Sequence, residues 1–244
     1  IAGTNGKGST TKMLAKALAS KNKTATFTSP YIRRINEAIA INECDISDDE
    51  FVDLVKRLKK PIEMLDNKGY YLSYFEVLTA MAYIYFYEQK VDVAIIETGL
   101  GGLLDSTNII KKPLASVITT ISMDHMNILG DSIEEIAYQK AGIIKENCPV
   151  FIYPNDSVAM GVFSKKVEDT NSSSFTFSKD EIEIKQADDK ANIFDFRNYK
   201  DVKLKLLGKH QIYNACLALL ILDYFKKDFN IDEKIIKDAL ENTE

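Results

Sequence analysis

Gly3, Gly6 and Gly8 alternate with Thr4, Asn5, Lys7, Ser9 and Thr10 at the head of the chain. A segment striped with Met13, Leu14, Ala17 and Leu18 follows directly. Glycines let the backbone turn tightly and bring amide N–H groups close to a ligand. A helix start behind them adds unpaired donors and the positive end of a dipole. Together they read as a phosphate cradle, with Lys7 as a point charge and Ser9 or Thr10 as a magnesium hydroxyl. In the standard phosphate loop the lysine follows the last glycine. Here Lys7 precedes Gly8. A plain glycine turn before a helix would need neither the lysine nor the hydroxyls.

Three more polar groups stand at the ends of β-type runs. Ser29 follows the run 24–28, Glu97 follows 91–96, and His125 lies just beyond 115–121. In open parallel sheets, ligands bind outside the carboxyl ends of the strands. A hydroxyl, a carboxylate and an imidazole could there serve magnesium on a nucleotide phosphate, although that ion prefers oxygen. The plainer alternatives are a turn serine, a solvated glutamate and a loop histidine. Lys140 falls on the apolar face shared by Ile133, Ile136, Ala137, Ala141 and Ile144. A cation on an inner face is costly unless paired or neutralised. It either snorkels from the stripe's edge or is a depressed or modified lysine near the metal site. Asn214 interrupts a run of apolar residues from Ile212 to Leu219. A buried asparagine needs partners, and either a neighbouring loop or a nucleobase edge could supply them.

The elements that would position these groups are legible. Ser47 with Glu50, and Ser73 with Glu76, are capping boxes ahead of helices. The first helix should carry Phe51, Leu54, Val55 and Leu58 on one face. The second is apolar on most sides and belongs in the interior. Near-continuous apolar runs at 91–96, 115–121 and 150–153 are parallel-sheet strands. Alternating strands and helices predict a doubly wound, mostly parallel α/β sheet. Residues 172–207 alternate polar and apolar, which predicts a small antiparallel sheet with one wet face. Helices are expected at 210–224 and 233–240.

The chain has 244 residues, 45% hydrophobic and 27% charged, with net charge −5. That suits a globular protein and gives no nucleic-acid footprint. No apolar run approaches the roughly 20 residues that span a bilayer. Three scattered cysteines (Cys44, Cys148, Cys216) suggest neither a zinc site nor a disulfide framework. A cytoplasmic setting fits.

Taken together, the motifs resemble the folylpolyglutamate synthase/dihydrofolate synthase family of the Mur ligase superfamily. The matching segments are Gly3-Thr-Asn-Gly-Lys-Gly-Ser9, Thr28-Ser-Pro-Tyr31 with Asn36-Glu37, and Tyr74-Phe-Glu76. Further on come Glu97-Thr-Gly-Leu-Gly-Gly102, Leu104-Asp-Ser-Thr-Asn108, Ser122-Met-Asp-His125 and Leu129-Gly130. Gln139-Lys-Ala-Gly-Ile-Ile-Lys145 and Gly208-Lys-His-Gln211 with Asn214 complete the set. The resemblance implies an ATP-dependent ligase that adds L-glutamate to a carboxylate of folate or dihydropteroate through an acyl phosphate. It implies ATP bound by Asn5, Gly6, Lys7, Gly8, Ser9, Thr10 and Asn214. It implies Mg²⁺ held by Ser29, Glu97 and His125, and a CO₂-derived carbamate on Lys140. Lys140, Lys7 and His125 would be the catalytic groups, and the protein a monomer. Three positions depart from the family pattern: Tyr31 replaces a usual His, and Ala38 and Leu103 each replace a usual Arg. Another Mur-type amino-acid ligase, or a nucleotide-binding module without ligase chemistry, is the alternative. Residues 1–244 are expected to form the ATPase domain alone, with its leading strand mostly missing and its carboxy-terminal Rossmann-like domain absent. Such a fragment would hold nucleotide without completing the amide bond.

Overall fold

The computed structural model of the chain describes residues 1–243. Helix α1 (Lys7–Ala19) starts at Gly6, whose backbone is left-handed at φ 83° and offers no side-chain cap. Its buried face carries Met13, Leu14, Ala17 and Leu18. Strand β1 (Thr24–Phe27) follows. The chain then passes Ser29 and a cis Pro30. Strands β2 (Ile39–Ile41) and β3 (Cys44–Asp45) form a short antiparallel extension.

Both capping boxes form as the sequence predicts. Ser47 caps helix α2 (Asp48–Asp66) and Ser73 caps helix α3 (Tyr74–Glu88), each hydroxyl accepting the amide N–H three residues on. Of the expected α2 stripe only Leu54 is fully buried, while Val55 is exposed, so this helix lies on the surface. Helix α3 buries Leu78, Met81, Ala82 and Phe86 against Phe27 and Ile39.

Strand β4 (Val93–Ile96) pairs parallel with β1. Strands β5 (Ser116–Ile118), β6 (Val150–Ile152) and β7 (Ser174–Phe175) pair in parallel with one another. Residues Ile1 and Ala2 join the two groups of strands. The Thr98 amide donates to the Ile1 carbonyl at 2.9 Å, and the Ala2 amide donates to the Val117 carbonyl at 2.9 Å. Beyond β5 come a single turn, α4 (Met126–Leu129), and α5 (Ile133–Ala141). Helix α6 (Ser157–Asp169) follows β6.

Side chains on successive strand residues point to opposite faces. Val117 and Phe151 therefore join the core under α1 and helix α7 (Lys209–Phe225). Ile118, Val150 and Ile152 join the core under α5 and α6. The result is the expected layered α/β arrangement, with helices on both faces of a mostly parallel sheet. The predicted antiparallel sheet is present but narrower. It comprises β8 (Ile182–Ala187), β9 (Asn192–Phe196) and β10 (Tyr199–Leu204). Ser174 and Phe175, assigned to it from their alternation, instead extend the parallel sheet. Short alternating runs carry no signal of which neighbour they pair with. Helix α7 is buried along 10 residues between Ile212 and Leu222, and α8 (Glu233–Glu241) packs Ile236 and Leu240 into the same core.

Candidate active site

The turns after β1, β4 and β5 and the glycine loop converge at one end of the sheet. They enclose an open cleft of about 570 Å³ lined by Gly3, Thr4, Lys7, Ser29, Pro30, Phe75, Gly99, Asp105, Asp124, His125 and Lys140, among others. The loop is tied to the neighbouring turn. The Thr4 hydroxyl donates to the Ser122 carbonyl at 3.2 Å and accepts from the Ser122 amide at 3.2 Å. That pairing anchors the segment that presents Asp124 and His125.

Lys7 folds back over its own loop, its Nζ donating to the Gly3 carbonyl at 3.0 Å. Gly6 has no room for a side chain, because a Cβ there would lie 2.5 Å from Asn214 Oδ1. Asn214 is therefore seated against the phosphate loop. Its Nδ2 donates to Gln211 Oε1 at 3.0 Å. Asn5 is exposed, and its carbonyl accepts from the hydroxyls of Thr119 and Thr120. Thr10 is fully buried, its amide is engaged with the Gly6 carbonyl, and its hydroxyl has no partner among the described residues.

Glu97 lies behind the cleft wall, 1% exposed, its backbone amide held by the Phe27 carbonyl at 2.8 Å. Its Oε1 has no hydrogen-bond partner among the described residues and lies 3.7 Å from the point a Gly8 Cβ would occupy. Burial pushes its pKa up, against the opposing pull of the nearby Thr11 hydroxyl, the Lys7 and N-terminal ammonium groups and the Ser29 amide. His125 has a left-handed backbone at φ 48°, and its Nε2 lies 3.7 Å from an Asp124 carboxylate oxygen. Lys140 is 4% exposed and makes no hydrogen bond or ion pair with any described residue. Burial, reinforced by the Lys7 charge and partly offset by Asp124, lowers its pKa to about 8. The inner-face position read from helical spacing is thus the one the fold adopts.

Among the described residues no three His, Cys, Asp or Glu side chains gather into a metal-binding cluster. The donor set available to a divalent cation is one buried carboxylate, one imidazole and a hydroxyl. The unpaired Glu97 oxygen fits such an ion, since buried polar atoms are rarely left without partners. A hard cation can complete its shell with phosphate oxygens and water.

Some cleft residues were not singled out from sequence. Asp105 accepts from the Leu100 amide at 2.8 Å and the Thr107 amide at 3.0 Å, which shapes the turn after Glu97. Its place ahead of Ser106 and Thr107 was the available cap signal. Asp124 and Phe75 belong to the Ser122-Met-Asp-His125 and Tyr74-Phe-Glu76 segments, whose local pattern gives neither a separate signal. Of the three departures, Leu103 faces a different groove beside Tyr138, with its amide donating to the Gln139 carbonyl at 2.7 Å. Ala38 is fully buried. Tyr31 adjoins the cleft-lining Pro30.

A glycine–lysine loop on a parallel sheet, with a carboxylate, an imidazole and a buried lysine at the adjoining turns, defines a phosphate-binding α/β domain. The chain belongs to the family described as the Mur ligase middle domain, which matches residues 1–222. Among curated relatives it is 43% identical over 237 residues to the dihydrofolate synthase/folylpolyglutamate synthase of Bacillus subtilis strain 168. That match covers 93% of this chain and 55% of the relative. It is 34% identical over 235 residues to the folylpolyglutamate synthase of Lacticaseibacillus casei, with the same coverages of 93% and 55%. Among solved structures, an FPGS–AMPPCP–folate complex superposes with a TM-score of 0.90 at 33% identity. It covers 99% of this chain and 61% of that one. The chain thus spans little more than half the length of these curated relatives. No helix among the described residues is long and apolar enough to cross a membrane.

Proposed function

We propose that this chain is the ATP-binding part of an ATP-dependent acid–amino-acid ligase that joins L-glutamate to a carboxylate of folate or dihydropteroate. The observation that carries the reading is the convergence of Lys7, His125 and an unpaired, buried Lys140 on one cleft, with the orphaned Glu97 oxygen behind it. The likeness to synthases of that name supports the substrate class.

In the proposed reaction the acceptor carboxylate takes the terminal phosphoryl group of ATP, and ADP leaves. The glutamate amine then attacks the acyl phosphate and releases inorganic phosphate. Backbone amides of Gly6, Lys7, Gly8 and Ser9 cradle the phosphates at the uncapped start of α1. The Lys7 ammonium stabilises charge that develops on the transferring oxygens. Asn5 braces the loop through its carbonyl, and Thr10 braces it by packing. Asn214, already against the loop, offers an amide edge to the adenine. Ser29, Glu97 and His125 would hold Mg²⁺, which supplies positive charge to offset that of the phosphates.

Lys140 is poised for carbamylation. With a pKa of about 8, about a fifth of its amine is uncharged near pH 7.4, against about a thousandth for an ordinary lysine. The free amine forms an N–C bond to CO₂ and loses a proton, which converts a buried cation into a carboxylate. The negative group, with His125, would position the metal.

We place the enzyme in the cytoplasm as a monomer. The test is phosphate release by the protein expressed from its complete reading frame, with ATP, Mg²⁺, L-glutamate and either folate or dihydropteroate. Release that depends on both the pterin acid and glutamate is expected. Nucleotide binding with no pterin-dependent release would overturn the folate reading and favour another Mur-type acceptor.

A further inference from the structure

Asn155 stands where strand pairing stops. Strand β6 ends at Ile152, and Pro154 has no N–H to carry the ladder on. The Tyr153 amide still donates to the Ile118 carbonyl at 2.8 Å. Beyond it the Asn155 carboxamide takes over. Its Oδ1 accepts from the Ile121 amide at 2.7 Å, and its Nδ2 donates to the carbonyls of Thr119 at 3.1 Å and Tyr153 at 2.8 Å. A carboxamide carries the same donor and acceptor types as a peptide group. One side chain thus does for 119–121 what a further strand residue would do.

The other edge of that segment is bonded to the phosphate loop. The Thr119 amide donates to the Ala2 carbonyl at 2.9 Å, and the Thr4 amide donates to the Thr120 carbonyl at 2.7 Å. The Thr119 hydroxyl donates to the Asn5 carbonyl at 2.7 Å. Residues 119–122 are therefore held from two sides, by Asn155 on one and by the loop that carries Lys7 on the other. Asp124 and His125 come next in the chain and line the cleft, which Asn155 itself does not. Asn155 has a fixed base, since the neighbouring Asp156 caps α6 by accepting the amides of Val158 at 2.9 Å and Ala159 at 3.0 Å.

We propose that Asn155 is a positioning residue: it fixes the His125 turn relative to the phosphate loop and so sets how strongly Mg²⁺ reinforces nucleotide binding. This rests on the ligase reading above, which gives the phosphates to the loop and the ion to His125. The offset between loop and turn decides whether one nucleotide with its ion can satisfy both. Without the carboxamide, the Ile121 amide and the Thr119 carbonyl lose their partner on the β6 side, and the turn can shift against the loop. A displacement of about 1 Å is enough to weaken positioned contacts severely. A brace that merely stabilised the fold would lower the melting temperature and leave the effect of Mg²⁺ on nucleotide affinity alone.

The experiment measures AMPPCP affinity by titration calorimetry, with Mg²⁺ and with EDTA, on the protein from its complete reading frame. The ratio of the two affinities is the coupling between ion and nucleotide. Asn155→Ala should reduce that ratio at least about fivefold, the free energy of roughly one hydrogen bond. Asn155→Asp keeps the size and the acceptor for Ile121 but turns an acceptor toward the carbonyls of Thr119 and Tyr153, and should reduce it as well. Asn22→Ala is the control. The Asn22 Nδ2 braces the far end of α1, donating to the carbonyls of Leu18 and Phe229, both at 3.1 Å. Asn155→Ala and Asn22→Ala should each lower the melting temperature by roughly 2–6 °C, while Asn22→Ala keeps the Mg²⁺ ratio within about twofold of wild type.

Circular dichroism checks the fold of each variant. If Asn155→Ala does not fold, Asn155→Asp decides. A Mg²⁺ ratio within about twofold of wild type in the deciding variant overturns the proposal, whatever the melting temperature does. An equal fall in Asn22→Ala also overturns it, because the effect then follows stability and not position. If the wild type binds AMPPCP equally well with Mg²⁺ and with EDTA, the metal reading and the role of Asn155 fail together. If the wild type depends on Mg²⁺ and the Asn155 variants depend on it equally, the role of Asn155 alone fails.

Discussion

Replacing Lys140 with Met should make the protein more stable while destroying its proposed chemistry. The side chain is 4% exposed, and its ammonium has no partner among the described residues. Its pKa falls from 10.5 to about 8, chiefly because burial strips the charge of water and secondly because Lys7 repels it, with Asp124 pulling the other way. At about 1.4 kcal/mol for each tenfold change, the depression corresponds to roughly 3 kcal/mol of destabilisation at neutral pH. Methionine keeps the unbranched shape and removes the charge.

The sign follows from proton binding. Between pH 8 and 10.5 the unfolded chain holds more protons at this site than the folded one, so wild-type stability rises with pH there. The advantage of Lys140→Met is complete below pH 8, shrinks through that window and vanishes above it. Thermal melts in CO₂-depleted buffer read the effect. At roughly 2–4 °C per kcal/mol for a chain of this size, a rise of roughly 6–12 °C is expected at pH 7. Added bicarbonate should change the wild-type melt and leave the variant alone, and mass spectrometry should show one carbamate on the wild type only. A variant that melts no higher than wild type at pH 7, or a difference that does not shrink toward pH 10, refutes the reasoning.

Gly6→Ala forces a side chain into a left-handed residue, at about 1–2 kcal/mol, and into Asn214 Oδ1 at 2.5 Å. AMPPCP affinity measured by calorimetry should drop at least about tenfold, since 1.4 kcal/mol of loop distortion already suffices. Glu97→Gln keeps the shape of a buried carboxyl whose charge is already disfavoured. Its urea midpoint should match wild type or exceed it, while Mg²⁺-dependent phosphate release disappears. A large loss of stability in that variant would assign Glu97 a structural role instead.

Much of this molecule is legible in local patterns. The capping boxes at Ser47 and Ser73 act over three residues, so they read directly and recur in the fold. The inner-face position of Lys140 follows from helical period alone. Helix α2 is less buried than its stripe implies, because periodicity shows which residues share a face and not whether another element covers it. Val55 shares the Leu54 face and is exposed. Ser174 and Phe175 pair with the parallel sheet although they alternate, because a two-residue strand is fixed by its partner and not by its own alternation.

The sequence by itself determined the inventory of the site: a glycine loop with an early lysine, polar groups at three strand ends, and a cation on an apolar helix face. Those signals are carried by neighbours in the chain, within one turn or one strand. Tertiary structure alone decided which of them meet. It set Asn214 against Gly6, left one oxygen of Glu97 without a partner, turned Leu103 into another groove, and brought Tyr31 to Tyr74. Such meetings depend on how the whole chain is routed through the core, and no local run of residues encodes that path.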